Sequence, residues 1–333
     1  MPKIAAPSEP RRSLLRVAVH SVGIISARRN RPTFTNTAMR LGVILLGVLC
    51  LWPSLTKAEP KFASVVEHLA YFAGLPEEEL AKFDIAYVNL VCAEGLNGSE
   101  DLDIPACLRS LDEIAGFVKA NTAANIQVYG CDPSAYANSE SQFRALAMVT
   151  FAVKGYGIQY NPDRIERADA LSPNDVFFRD SKDIFLHGLL QRQPRMGTCT
   201  SLPVFWVALG RRLNYPLSLS NTLLHFFTRW EDASGKFDFE GSQNGCGIHD
   251  DAYYKGFPVQ TDDAKIEYLG LLQSFSRKGE LMHFLLSRGA CLTAHKRDAE
   301  ATRAYELAVL CYPSNFSKWA LHLHQKELLE KHE

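Results

Sequence analysis

Gly197-Thr198-Cys199-Thr200-Ser201-Leu202-Pro203 is the stretch from which the rest of the chain is read. It leads into an apolar, helix-periodic run that ends at Arg211-Arg212. A free thiol is only a few per cent thiolate at neutral pH, and the thiolate is the nucleophile. A helix N-terminus carries about half a positive charge and unpaired N–H groups, so it favours the anion. Pro203 is tolerated only in a first turn, which sets the helix start close to Cys199. Leu202, Phe205, Leu209 and Leu213 recur at helical spacing and predict the buried face.

Two downstream residues extend this to a Cys-His-acid pattern. Leu223 to Trp230 reads as a strand, Glu231 to Ser234 as a turn, and Gly235 to Gly241 as the return strand. A four-residue loop pairs Trp230 with Gly235 and sets His225 directly opposite Glu240. The two side chains then share a face with Cβ atoms about 5 Å apart. The carboxylate would orient the imidazole and stabilise imidazolium. Asp238 lies on the same face, opposite Phe227 in this register, and is the competing acid. A one-residue slip would send the pair to opposite faces.

The run from Gly197 to Leu213, the segment around His225, and Phe239-Glu240-Gly241 together resemble the transglutaminase-like superfamily, in particular its bacterial SirB-like branch. The resemblance covers roughly residues 160 to 260. It implies a cysteine-proteinase-like core in which Cys199, His225 and Glu240 are the catalytic triad. Glu240 stands where the superfamily usually has Asp, and Leu224 stands where Gly is common. Gln193, six residues before Cys199, has the spacing of an oxyanion donor in papain-like enzymes, but reads more simply as a solvated loop residue. His187, on an apolar helical stretch, reads as a core histidine.

The chain has 333 residues and is 47% apolar, enough for one large or two medium domains. Residues 1 to 58 hold nine of the 36 basic residues and one of the 37 acidic ones. The remainder carries a net charge of −9, which argues against a nucleic-acid partner. The first 58 residues read as an extension and signal peptide. Met39-Arg40 precedes the apolar run Leu41 to Leu51, and Thr56-Lys57-Ala58 offers small residues for cleavage. Met39 reads as the true start and Glu59 as the mature N-terminus. The apolar run is short of the ~20 residues of a membrane span. The chain is therefore expected to be exported, periplasmic or extracellular, with no stable span after cleavage. An uncleaved signal anchor is the alternative.

Export leaves seven cysteines, an odd count that suits one free nucleophile and up to three bridges. Cys92 with Cys107 is the first candidate pair and Cys131 with Cys246 the second; all thiols free is the alternative. No Cys-x-x-Cys pair occurs, and His249-Asp250-Asp251 cannot all face one ion, so neither a metal nor a cofactor is expected.

The expected fold class is α+β. A helical domain (59–157) carries helices over 62–75, 77–91, 105–120 and 139–153. The transglutaminase-like core (158–261) opens on the extended stretch Ile158 to Pro162, followed by a helix over 180–190. The tail (262–333) is helical. In it Leu285, Gly289, Leu292, Ala301, Tyr305, Ala308 and Pro313 fall at the spacing of one tetratricopeptide repeat, with Arg288 where Leu is usual. A single repeat cannot bury its own face, so it should pack on the core or on the helix of 266–276.

Two functions fit. The first is an exported thiol enzyme acting on an amide or peptide bond of a protein or peptide substrate, by hydrolysis or acyl transfer. The second is a catalytically silent scaffold that binds a protein partner through its helical tail.

Overall fold

The structure, a computed structural model, describes residues 62–167 and 176–331. The expected leader and the cleavage at Glu59 lie outside these residues. Four helices come first: α1 (Val65–Gly74), α2 (Ile85–Ala93), α3 (Ile104–Ala124) and α4 (Glu140–Tyr156). Each starts at a side chain that accepts from the first turn: Ser64 from Glu67 N–H, Asp84 from Ala86, Asp103 from Ala106 and Ser139 from Gln142. The single helix expected over 77–91 is in fact a turn, Glu77–Leu80, followed by α2. The break lies at Asp84, whose extended backbone caps α2 and whose carboxylate pairs with Arg212.

Helix α5 (Ser201–Arg212) runs through the middle of the molecule. Every residue from Ser201 to Gly210 is buried, so it hides all its faces rather than the single stripe its periodicity suggested. The N-terminal helices α2 and α3 cover one side and the sheet covers the other. At Gly210 a Cβ would fall 2.2 Å from Leu217, so only glycine admits the strand that close.

The sheet is an antiparallel meander, β3 (Leu217–Asn221), β4 (Phe226–Asp232), β5 (Gly235–Ser242) and β6 (Gly245–His249), in that order. A separate parallel pair joins β1 (Gln159–Tyr160) to β2 (Met196–Gly197), with Tyr160 opposite Gly197. The fold is thus mixed α+β.

The β4–β5 register corrects the expectation. Asp232 pairs with Gly235 and Arg229 with Asp238, so the loop is two residues, Ala233-Ser234, not four. Asp232 drives this tightening: its carboxylate accepts from Ser234 N–H at 2.7 Å and from Trp230 Nε1 at 2.7 Å. His225 therefore precedes β4 and is not directly opposite Glu240. The slip is by two residues, an even number, so the face is unchanged.

After the sheet come α6 (Asp251–Gly256), α7 (Asp263–Leu269), α8 (Arg277–Ala294), α9 (Asp298–Cys311) and α10 (Asn315–Glu330). The α8–α9 hairpin spans the residues whose spacing suggested a repeat. Tyr305 lies against Gly289, where a Cβ would come within 2.7 Å of its ring. The hairpin packs on the N-terminal helices, α8 against α2 and α9 against α1, so tail, helical segment and α5 share one hydrophobic core. Buried Arg288 is explained by this docking: its Nη1 donates to the carbonyls of Cys92 and Glu94 and caps the end of α2.

The expected disulfides are not present among the described residues, whose seven cysteines are free. The Cys107 thiol donates to Gln191 Oε1 at 3.1 Å. Cys131 is exposed while Cys246 is buried on β6.

Candidate active site

Cys199 sits between β2 and α5. The bond from Leu202 N–H to Thr198 O at 2.9 Å places it in the first turn, ahead of Pro203. Thr198 holds the loop in both directions: its hydroxyl donates to the Asp183 carbonyl at 2.7 Å and accepts from Thr200 N–H at 3.2 Å. Ser201 Oγ accepts from Thr198 N–H at 3.0 Å and donates to the same Asp183 carbonyl. Asp183 is itself fixed by Asn161 and by Arg164, both at 2.8 Å or less. A Cβ on Gly197 would sit 2.9 Å from Leu189 Cδ1 and Ser201 Oγ, so a larger residue would have to push those side chains aside. Two short turns, Ser181–Ile184 and His187–Leu190, replace the continuous helix expected over 180–190 and carry Asp183 to the loop.

His225 closes the tight turn between β3 and β4, where its carbonyl accepts from Thr222 N–H at 2.8 Å. Its Nε2 lies 2.5 Å from Glu240 Oε1. The Tyr254 hydroxyl donates to that same oxygen at 3.1 Å. With Nε2 taken by the carboxylate, Nδ1 is the ring nitrogen left for the Cys199 thiol, which lies beside the imidazole. Burial opposes the imidazolium, but the hydrogen bonds to Cys199 and Glu240 and their charges outweigh it and push His225 up to about 10. Burial likewise opposes charge on Glu240, and the partnership with His225 and Tyr254 holds its carboxyl below the ordinary value. The imidazole is walled by rings, with Phe257 at 5.1 Å edge-on and Tyr254 stacked at 6.2 Å.

The geometry adds a residue that the sequence reading missed. Tyr160 is delivered to Cys199 by the parallel β1–β2 pair, and its N–H is pinned by Gln243 Oε1 at 2.7 Å. Its hydroxyl faces both the Cys199 thiol and the Cys199 main-chain N–H. Burial first, and the adjacent thiol second, raise the phenol's pKa, so Tyr160 is a protonated donor at neutral pH. The only signal in the sequence was the extended stretch around it.

The structure brings Cys199, His225 and Glu240 together and leaves the other candidates apart. Gln193 is exposed, and among the described residues no hydrogen bond ties it to Cys199. His187 is buried, with Nε2 3.2 Å from both Ser181 Oγ and the Gly98 carbonyl. Asp238 is not a surface residue: it is 1% exposed and forms a two-pronged pair with Arg229, which also binds Asp251. Asp250 caps α6, and His249 stacks on Tyr253 at 3.9 Å. Among the described residues no group of three potential ligands is placed to hold a metal ion, and no helix is long and apolar enough to cross a membrane. Compared with known proteins, the chain matches no family model, no curated protein and no solved structure.

Proposed function

We propose that this protein is a cysteine-dependent acyl-transfer enzyme with a transglutaminase-like core, acting on an amide or peptide bond of a protein or peptide. The observation that carries this reading is the placement of Cys199 at a helix start beside the His225 imidazole, which is itself bonded to Glu240. Cys199 attacks the carbonyl carbon as the thiolate, its proton already held by His225 at Nδ1 as the imidazolium. The tetrahedral oxyanion is met by the Cys199 N–H and the Tyr160 hydroxyl, the two donors that converge beside the sulfur. Collapse breaks the C–N bond, and His225 returns its proton to the leaving amine. Water or a second amine then attacks the thioester, His225 again moving the proton, and the thiol is restored. Glu240 stays ionised and holds the ring in one tautomer.

The reading extends to an exported enzyme whose leader ends at Ala58. N-terminal sequencing of secreted material should return Glu59, and an intact start upstream of Met39 would end that part of it.

The test is intact-mass analysis after mixing with p-nitrophenyl acetate. One acetyl group should appear on Cys199, vanish in Cys199→Ala, and turn over faster when a primary amine is added if acyl transfer outruns hydrolysis. A wild-type protein acetylated no faster than His225→Gln would instead favour the silent scaffold.

A further inference from the structure

Two donors meet on Glu240 Oε1, and they come from different parts of the fold. His225 Nε2 arrives from the turn before β4 at 2.5 Å, and the Tyr254 hydroxyl arrives from α6 at 3.1 Å. Among the described residues the Glu240 carboxylate has no third hydrogen bond. Its side chain is 37% exposed, so packing alone does not fix its rotamer.

Tyr254 has no such freedom. It is fully buried, and its ring lies face to face on Phe227 of β4, 3.8 Å away and tilted by only 9°. The helix that carries it is tied to the sheet. Asp251 pairs with buried Arg229 on β4 and with Lys236 on β5. Asp250 caps the first turn by accepting from Tyr253 N–H at 2.9 Å. The phenol oxygen is thus placed by the sheet and α6, and Glu240 is placed by the phenol.

The bond also has a direction. Burial first, and the charge of Glu240 second, raise the Tyr254 pKa, so the phenol stays protonated and donates. A donor favours the carboxylate over the carboxylic acid. The His225 proton has only a short path to Glu240 Oε1. A second donor on that oxygen makes it less basic and leaves the proton on Nε2.

We propose that Tyr254 is a positioning residue for the His225–Glu240 pair, holding the carboxylate ionised and aimed at Nε2. The inference rests on the enzymatic reading, since its consequence is the imidazolium that accompanies the Cys199 thiolate. The titratable groups facing Glu240 are His225, Tyr253 and Tyr254, His249 and Cys246 on β6, and Tyr160 on β1. Asp238, paired with Arg229, acts on Tyr254. All of these except the Tyr254 hydroxyl remain in Tyr254→Phe, so a difference between the two proteins belongs to that hydroxyl.

Tyr254→Phe keeps the ring and its stacking on Phe227. The Glu240 side-chain carbonyl carbon is titrated by NMR in wild type and variant, and acetylation by p-nitrophenyl acetate is timed in both. In the wild type the Glu240 midpoint should lie below the ordinary carboxyl value. In Tyr254→Phe it should rise by about half a pH unit or more, and acetylation at neutral pH should fall about tenfold. A loss of packing alone would slow acetylation without moving the midpoint. The titration does not depend on turnover, so failure of every protein to acetylate Cys199 would count against the enzymatic reading and leave the Glu240 midpoints to decide the role of Tyr254. A wild-type midpoint at or above the ordinary value, a midpoint unmoved by Tyr254→Phe, or a moved midpoint with wild-type acetylation would overturn the proposal.

Discussion

His225 Nε2 lies 2.5 Å from Glu240 Oε1, and the Tyr254 hydroxyl reaches that same oxygen at 3.1 Å. One carboxylate oxygen therefore serves two donors, and the imidazole is left with a single free nitrogen, on the side of Cys199. A ring so held has one orientation and one tautomer.

Glu240→Gln should leave the fold intact and lower Cys199 acylation by roughly a thousandfold or more, since the amide permits the wrong tautomer. Asp238→Asn should do the reverse. It weakens the buried pair with Arg229, which is 2% exposed, and should cost about 3–5 kcal/mol of stability with little direct effect on the thiol. Urea unfolding and acetylation rates on both variants separate the two roles. A stable Asp238→Asn protein with a silenced thiol would mean the acids are assigned the wrong way round.

Tyr160→Phe isolates the oxyanion donor. Acetylation by the ester passes through a tetrahedral oxyanion, whereas alkylation by iodoacetamide does not. The variant should lose about a hundredfold in acetylation and keep its alkylation rate within a few-fold. Equal losses in both reactions would show that Tyr160 acts on the thiol alone.

The raised His225 also predicts a pH dependence of stability. Its pKa moves from 6.5 in the unfolded chain to about 10 in the fold. The folded state binds the extra proton, so the contribution is fully present below about 6.5 and is lost as pH rises through about 10. The stability difference between wild type and His225→Gln, measured by urea unfolding, should shrink steadily across that window. A difference that grows with pH would mean the ring is neutral in the fold.

The thiols can be counted directly. Burial raises Cys92, Cys107, Cys246 and Cys311 to about 12 each, and Cys291 is raised by the same cause. Native protein should therefore show two reactive thiols, Cys199 and the exposed Cys131, and the remaining five only after unfolding, with or without reductant. A shortfall that reductant restores would reveal a bridge.

The grouping of Cys199, His225 and Glu240 was legible because each has a local signature: a thiol before a helix with proline in its first turn, then two residues of matching parity on neighbouring stretches of chain. The register was not legible, because the tight turn depends on how Asp232 folds back on Ser234 and Trp230. An even slip left the pair on one face, so His225 still meets Glu240 despite the shorter loop. Tyr160 was hidden because a parallel pairing of two-residue strands leaves almost no periodicity to read. Asp238 read as the competing acid because its buried pair with Arg229 and the contact of Arg229 with Asp251 of α6 are not visible in the strand pattern. The hairpin of the tail was legible through Gly289 and Tyr305, whereas its docking on α1 and α2 is a long-range contact that no local spacing encodes.

The central claim is that Cys199 and His225 act as one unit, and the rate of Cys199 alkylation against pH measures that unit directly. Cys131→Ser protein should be used, so that a single native thiol reports. Around neutral pH wild-type Cys199 should be alkylated at least about tenfold faster than the same thiol in His225→Gln. Equal rates in the two proteins at every pH would contradict the account.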